Sequence, residues 1–187
     1  MISGDVIKLA SFVVVSAALL FVSRKSLRTF RSHGFFRYFA WECMLAMFLV
    51  NMEFWFQIPF SPPQLVSWFL LIVSGVLAVH AAIYLRRHGQ PDSSRQDDTL
   101  IGLEKTTQLV QQGAYQYIRH PLYASLLYLT WGIFLKHPGW TVGALAAGAT
   151  GFLVATAKAD EAECLRFFGP SYAEYARKTK MFIPFLF

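Results

Sequence analysis

Apolar and polar positions fall in blocks along this chain. Five apolar stretches, at 6–23, 35–56, 65–85, 122–135 and 140–157, are separated by segments rich in charge, proline or amide groups. A helix crosses a bilayer with about 20 apolar residues, so each stretch reads as a crossing. The fourth is short and needs tilt or its flanking residues to span. Between them lie a basic loop (24–34), a charge-free proline-rich turn (57–64), a long polar stretch (86–120), the turn Lys136-His137-Pro138-Gly139 and a polar C-terminal tail. So tight a turn makes 122–135 and 140–157 an antiparallel hairpin. Gly143, Ala147 and Gly151 recur every four residues, which predicts a small-residue stripe where a neighbouring backbone approaches closely. The segment 90–98 reads as a mobile loop.

Composition sharpens this picture. Of 187 residues, 55% are hydrophobic and 15% charged, against about 45–50% and about 25% for soluble domains. A disordered chain, a nucleic-acid module and an ordinary cytosolic enzyme are excluded. The net charge of +6 comes from basic residues placed between apolar stretches, where they act as topology signals and headgroup contacts. With the amino terminus outside, every Lys and Arg except Lys8 and Lys136 falls on the cytoplasmic side. The expected fold class is therefore all-α: a polytopic membrane protein of about five transmembrane helices. Residues 1–86 form three N-terminal helices, and 87–187 form a cytoplasmic loop, the helix hairpin and C-terminal helices. The first stretch has no basic region before it and Ser23-Arg24-Lys25 after it, so it reads as a retained helix rather than a signal peptide. Cys43 and Cys164 lie at different depths, which predicts no disulfide, and no Cys/His spacing suggests a metal.

Two passages carry candidate chemistry. In the first, Leu109 to Tyr123, Gly113 permits a turn and Tyr115 and Tyr117 offer ring faces at headgroup level. Arg119-His120 then places a fixed cation and a titratable ring before Pro121, which suits the first turn of a helix. The free N–H groups opening that helix, with Arg119, suit an anion such as a carboxylate; a juxtamembrane Arg/Tyr anchor has the same composition. The second passage holds Asp160, Glu161 and Glu163, then Gly169-Pro170, Tyr172 and Tyr175. Acids directly below a crossing call for partners, among them Arg119, Lys158 or a ligand's ammonium and hydroxyls; a solvated amphipathic tail is the plainer reading. Glu42 and Glu53 lie on nearly one face of the second helix, near Asn51. They read as structural, Glu42 within reach of Arg37 or the cytoplasmic headgroups and Glu53 near the outer interface, with a substrate-pocket role for Glu42 as the alternative. His80 reads as an interhelical hydrogen bond.

The string GxYxxxRHPxYxS, preceded by Leu-Val and followed by an acidic pair and FGxxYxxY, resembles the isoprenylcysteine carboxyl methyltransferase family, grouped with phospholipid methyltransferases. The resemblance covers 99–187. It implies a cytoplasmic S-adenosylmethionine site capped by the C-terminal segment, in a bacterial or archaeal inner membrane. It implies cofactor contacts from Leu109, Val110, Tyr115, His120, Pro121, Leu122, Tyr123, Asp160 and Glu161, with Arg119 and Glu161 as catalytic candidates and no metal. Two positions depart from the family: Asp160 stands where it has glutamate, with Glu163 as a compensating candidate, and Thr156 where the eukaryotic enzymes have arginine. The implied acceptor is lipophilic, enters from the bilayer, and bears a prenylcysteine carboxylate or, alternatively, the amine of phosphatidylethanolamine. A nicotinamide-dependent membrane reductase and a non-enzymatic membrane scaffold are the rival classes.

Overall fold

A computed structural model describes residues 4–90, 92 and 102–186, so the predicted mobile loop at 90–98 lies almost wholly outside the described residues. The described chain is all-helical. Six helices follow in order: α1 (Gly4–Arg28), α2 (His33–Asn51), α3 (Pro62–His88), α4 (Pro121–Phe134), α5 (Trp140–Phe168) and α6 (Pro170–Lys178). Three of them, α1, α3 and α5, are long and apolar enough to cross a membrane. The other two apolar stretches differ in kind: α4 has only 14 residues, and the 19 of α2 include His33, Arg37 and Glu42.

Local chemistry sets the boundaries. Ser32 caps α2, its hydroxyl accepting the amide of Phe35 at 3.2 Å. Pro62 and Pro121 each open a helix, where the missing N–H would have no intrahelical partner anyway. Arg86, Arg87 and His88 close α3 and complement its dipole. Gly169, at φ +58, ends α5 and Pro170 begins α6.

Helices α2 and α5 run antiparallel, as do α3 and α4, and the α4–α5 hairpin joins the two pairs. Met47, Ile133, Val142 and Ala146 fill one end of the core, Ala40, Met44, Ala149 and Leu153 the middle, and Tyr123, Ala124, Ala157 and Phe182 the other end. The surface of α5 that meets the bundle is thus Val142, Ala146, Ala149, Leu153 and Ala157. The predicted stripe is offset from it: Ala147 and Gly151 are exposed. Repetition every four residues identified a smooth helix face but not the face that is covered, because the bulky neighbours Val142 and Leu153 complete the packing. Helix α1 lies against α2 and leaves Val6, Leu9, Val13, Val14 and Phe21 exposed, the surface expected of a lipid-facing helix.

Polar side chains tie the far end of the bundle together. Asn51 donates to the carbonyl of Ile133 at 2.8 Å and Ser67 to that of Gly132 at 2.7 Å. Gln64 donates to the carbonyls of Phe54 and Lys136 and accepts from the Lys136 ammonium, which lies 3.3 Å from the ring centre of Trp68. Glu53 pairs with Lys8 at this end. Glu42 accepts from Ser16 at 2.6 Å. Arg37, the neighbour expected for Glu42, turns the other way to Glu104, because a loop carboxylate near the helix start spares it from reaching back toward the apolar core.

Candidate active site

The opposite end gathers the start of α2 and α4, the end of α3 and α5, and α6. Two glycines seat the connecting segment there. A Cβ on Gly89 would come within 2.5 Å of the Thr106 side chain, and the Gly89 carbonyl accepts the amides of Thr107 and Gln108. Gly113 has φ +62, and a Cβ there would meet His80 Nε2 at 2.6 Å and Tyr84 at 2.8 Å. His80 accepts the Ala114 amide at 3.1 Å, so it binds a backbone turn rather than another helix. Between these anchors lie half-buried Leu109 and buried Val110, and Tyr115 is buried just beyond.

After this turn the chain extends alongside the C-terminal segment, with Ile118 and Lys180 paired in parallel. Lys180 donates its amide to Tyr117, while Arg119 and His120 donate theirs to Lys180 and Met181 at 2.7 and 3.2 Å. Phe182, 1% exposed, anchors the segment in the core. We call residues 180–186 the hook.

Arg119 and His120 then meet the acids of α5. Arg119 Nε donates to Glu161 Oε1 at 2.6 Å, and Nη1 donates to the carbonyls of Ala176 (3.0 Å) and Thr179. His120 places Nδ1 3.4 Å from Asp160 Oδ2 and Nε2 3.3 Å from Glu161 Oε1, with Tyr123 stacked on its ring at 5.5 Å. Burial opposes the charged imidazole, but the two carboxylates outweigh it and raise the pKa of His120. Both ring nitrogens thus face a carboxylate, which favours the charged ring more than water does.

A cleft of about 90 Å³ opens here. Of the residues expected at the site, Leu109, Val110, Tyr115, Arg119, His120, Leu122, Tyr123 and Asp160 line it. Asp160 reaches the wall despite its shorter side chain. Pro121 is buried at the start of α4, and Glu161 stands behind Arg119 and His120 rather than on the wall. Glu163, expected to compensate for Asp160, points away and receives Nδ1 of His33 at 2.7 Å and the His33 amide at 3.3 Å. On a helix, residue 163 lies about 300° round from 160, but its long side chain is captured by the fully buried imidazole.

Leu85, Glu104, Thr106, Cys164, Phe168, Tyr172 and Tyr175 complete the wall; the last three belong to the FGxxYxxY passage, and sequence reasoning gave the first four no place in the site. Glu104 is held by Arg37 and lies 3.5 Å from His33 Nε2. The available signal was the spacing of His33 and Arg37, four residues apart and so on one helix face, opposite a lone acid in the loop. Tyr175 donates to the Tyr115 carbonyl at 2.7 Å. The Tyr172 hydroxyl is buried and has no hydrogen-bond partner among the described residues. Burial, followed by the nearby acids, pushes its pKa up, so it is a neutral donor. Among the described residues no group of His, Cys, Asp and Glu is placed to hold a metal ion.

The His33 cluster gives the fold a pH signature. Burial is the largest influence on His33 and lowers its pKa, but Glu104 and Glu163 together raise it to about 9. Unfolded histidine titrates near about 6.5. The stabilisation is thus fully present below that value and is lost as pH rises through about 9. Thermal melts of the purified protein are expected to fall between about pH 7 and 10, and His33→Gln is expected to flatten that slope. A slope unchanged in the variant would show that His33 is not its source.

Comparison with protein-family models, curated proteins and solved structures returns no match.

Proposed function

We propose that the chain is an S-adenosylmethionine-dependent integral membrane methyltransferase that methylates the carboxylate of a lipophilic, prenylcysteine-like acceptor. On this reading five helices cross the membrane, the amino terminus is outside and the cleft faces the cytoplasm. The carrying observation is the convergence of Arg119-His120 with Asp160-Glu161 beside a tyrosine-lined cleft, from tracts about forty residues apart in sequence.

The residues present fit this cofactor. Asp160 and Glu104 offer carboxylate acceptors at the cleft wall for an ammonium and hydroxyls, and tyrosine faces attract cations such as a sulfonium. The partnerless Tyr172 hydroxyl offers a donor, while Leu109, Val110 and Leu122 offer apolar contact. S-adenosylmethionine supplies a methyl group on a positively charged sulfur, already a strong electrophile.

The chain's own part is then positioning, which contributes roughly 7–11 kcal/mol in well-aligned reactions. Arg119 ties Glu161 to the end of α6 through the carbonyls of Ala176 and Thr179 and presents its guanidinium at the cleft wall for the acceptor carboxylate. His120, held between two carboxylates, fixes Asp160 in place. A carboxylate nucleophile needs no general base, whereas an amine does. His120 is held between two carboxylates and Glu161 is ion-paired with Arg119, so neither is free to act as a base, and this favours the carboxylate acceptor over phosphatidylethanolamine. Tyr172 and Tyr175 of α6 cover one side of the cleft and exclude water there.

The test is calorimetric titration of the purified chain with S-adenosylhomocysteine. Binding is expected, and His120→Ala is expected to weaken it by about tenfold or more, the loss of roughly one charge-assisted contact; Glu161→Ala is expected to weaken it by releasing Arg119 and His120 from their positions at the wall. Labelled methyl donor supplied to membranes should then give a base-labile ester. Label in a choline-type headgroup would instead favour the amine acceptor, and heat with a nicotinamide dinucleotide alone the reductase. No heat and no thermal shift at saturating ligand would leave the scaffold reading.

A further inference from the structure

The hook separates two hollows distinct from the cleft, the first of which shares only Arg119 with it. One, of about 350 Å³, is walled by Arg177, Lys178, Thr179 and Lys180 with Leu186 at its edge. The other, of about 370 Å³, is almost entirely apolar and lies between α3 and the hook, walled by Ile72, Val76, Leu77, Tyr117, Phe182 and Pro184. We propose that the hook is a binding site for one anionic phospholipid, its headgroup in the basic recess and an acyl chain in the apolar groove. The proposal rests on the membrane reading but not on methyl transfer.

Charge complementarity argues for this occupant. Arg177, Lys178 and Lys180 are exposed. The acids nearby are Glu174, which pairs with Lys178 at the surface, and Glu161, which is neutralised by Arg119 and His120. The recess is therefore net positive. Basic groups at a bilayer surface attract anionic headgroups.

The groove argues for a chain rather than a free phosphate. Along α3 its wall runs from Ile72 to His80, roughly 12 Å at the helical rise, a length that fits an extended alkyl chain. The outer surface of the hook is greasy as well: Phe185 and Leu186 are exposed, and Tyr117, half exposed, touches Phe185 with ring centres 6.2 Å apart. Aromatic groups beside lysines mark the lipid–water boundary. Phe182 and Pro184 face the groove while Met181 and Leu186 face the recess, so a single lipid would grip the hook from both sides.

The experiment uses the full chain in nanodiscs of phosphatidylcholine with or without phosphatidylglycerol, followed by native mass spectrometry and thermal melts. Wild type is expected to retain phosphatidylglycerol about tenfold over phosphatidylcholine, the enrichment that a few basic contacts give, and to melt higher when it is present. Arg177→Gln/Lys178→Gln/Lys180→Gln should abolish both effects. Val76→Trp, at an exposed groove position, should reduce retention with all charges intact, which separates a seated lipid from adsorption to a basic surface. Equal retention of the two lipids by wild type would overturn the proposal. So would retention that Val76→Trp leaves unchanged, or cross-linking that shows a second copy covering the groove. Titration with S-adenosylhomocysteine on the same samples reports separately on the proposed activity.

Discussion

Arg119→Ala is expected to destabilise the protein by about 3 kcal/mol and to loosen its C-terminal segment. Loss of one member of a buried ion pair costs about 3–5 kcal/mol. The lower end applies because Glu161 is only partly buried and keeps His120 as a neighbour. The same substitution strips two donors from the carbonyls of Ala176 and Thr179, which hold α6 and the hook against the cleft. A drop of about 6–12 °C in melting temperature follows for a chain of this size. Limited proteolysis should cut first near 177–180. Arg119→Lys should recover only part of the loss, because an ammonium cannot reproduce the fork that reaches a carboxylate and two carbonyls together. If Arg119→Ala melts like wild type and resists the protease equally, the clamp described here does not hold the hook.

The second large effect is expected at His33. It is fully buried, and His33→Ala removes a cation from between Glu163 and Glu104 and leaves Arg37 as the nearest positive partner. A cost of about 3–5 kcal/mol follows from the uncompensated charge, comparable with deleting a large core side chain. Adding Glu163→Gln to His33→Ala should restore part of the stability, since the orphaned charge is gone. A double-mutant cycle by chemical or thermal unfolding measures this, and a coupling of about 1–3 kcal/mol is expected for groups in direct contact. Strict additivity would mean that the two side chains act independently.

How far the sequence foretold these features depends on the kind of signal. The all-helical class was legible because block hydrophobicity is a direct consequence of burial. The meeting of His120 with Asp160 and Glu161 could be anticipated from motif spacing and from the charge bias that placed both tracts at one end of the bundle. Long-range pairings had no such mark. Nothing local tells Glu163 to prefer His33 over the cleft, since that choice arises only once α2 lies along α5. The extended pairing of 117–120 with 180–181 was equally hidden, because runs this short carry no alternating pattern. Gly113 was legible as a turn but not as the contact point of His80 and Tyr84. Face selection on α5 failed for a further reason: small residues permit close approach without requiring it.

The pairing of Arg119 and His120 with Lys180 and Met181 also joins two tracts that lie far apart along the chain. The amides of the arginine and histidine find their carbonyl partners only once Lys180 and Met181 are in place. Removal of 180–186 should therefore leave the helical bundle folded while residues 117–120, and the cleft wall they carry, lose their backbone tether.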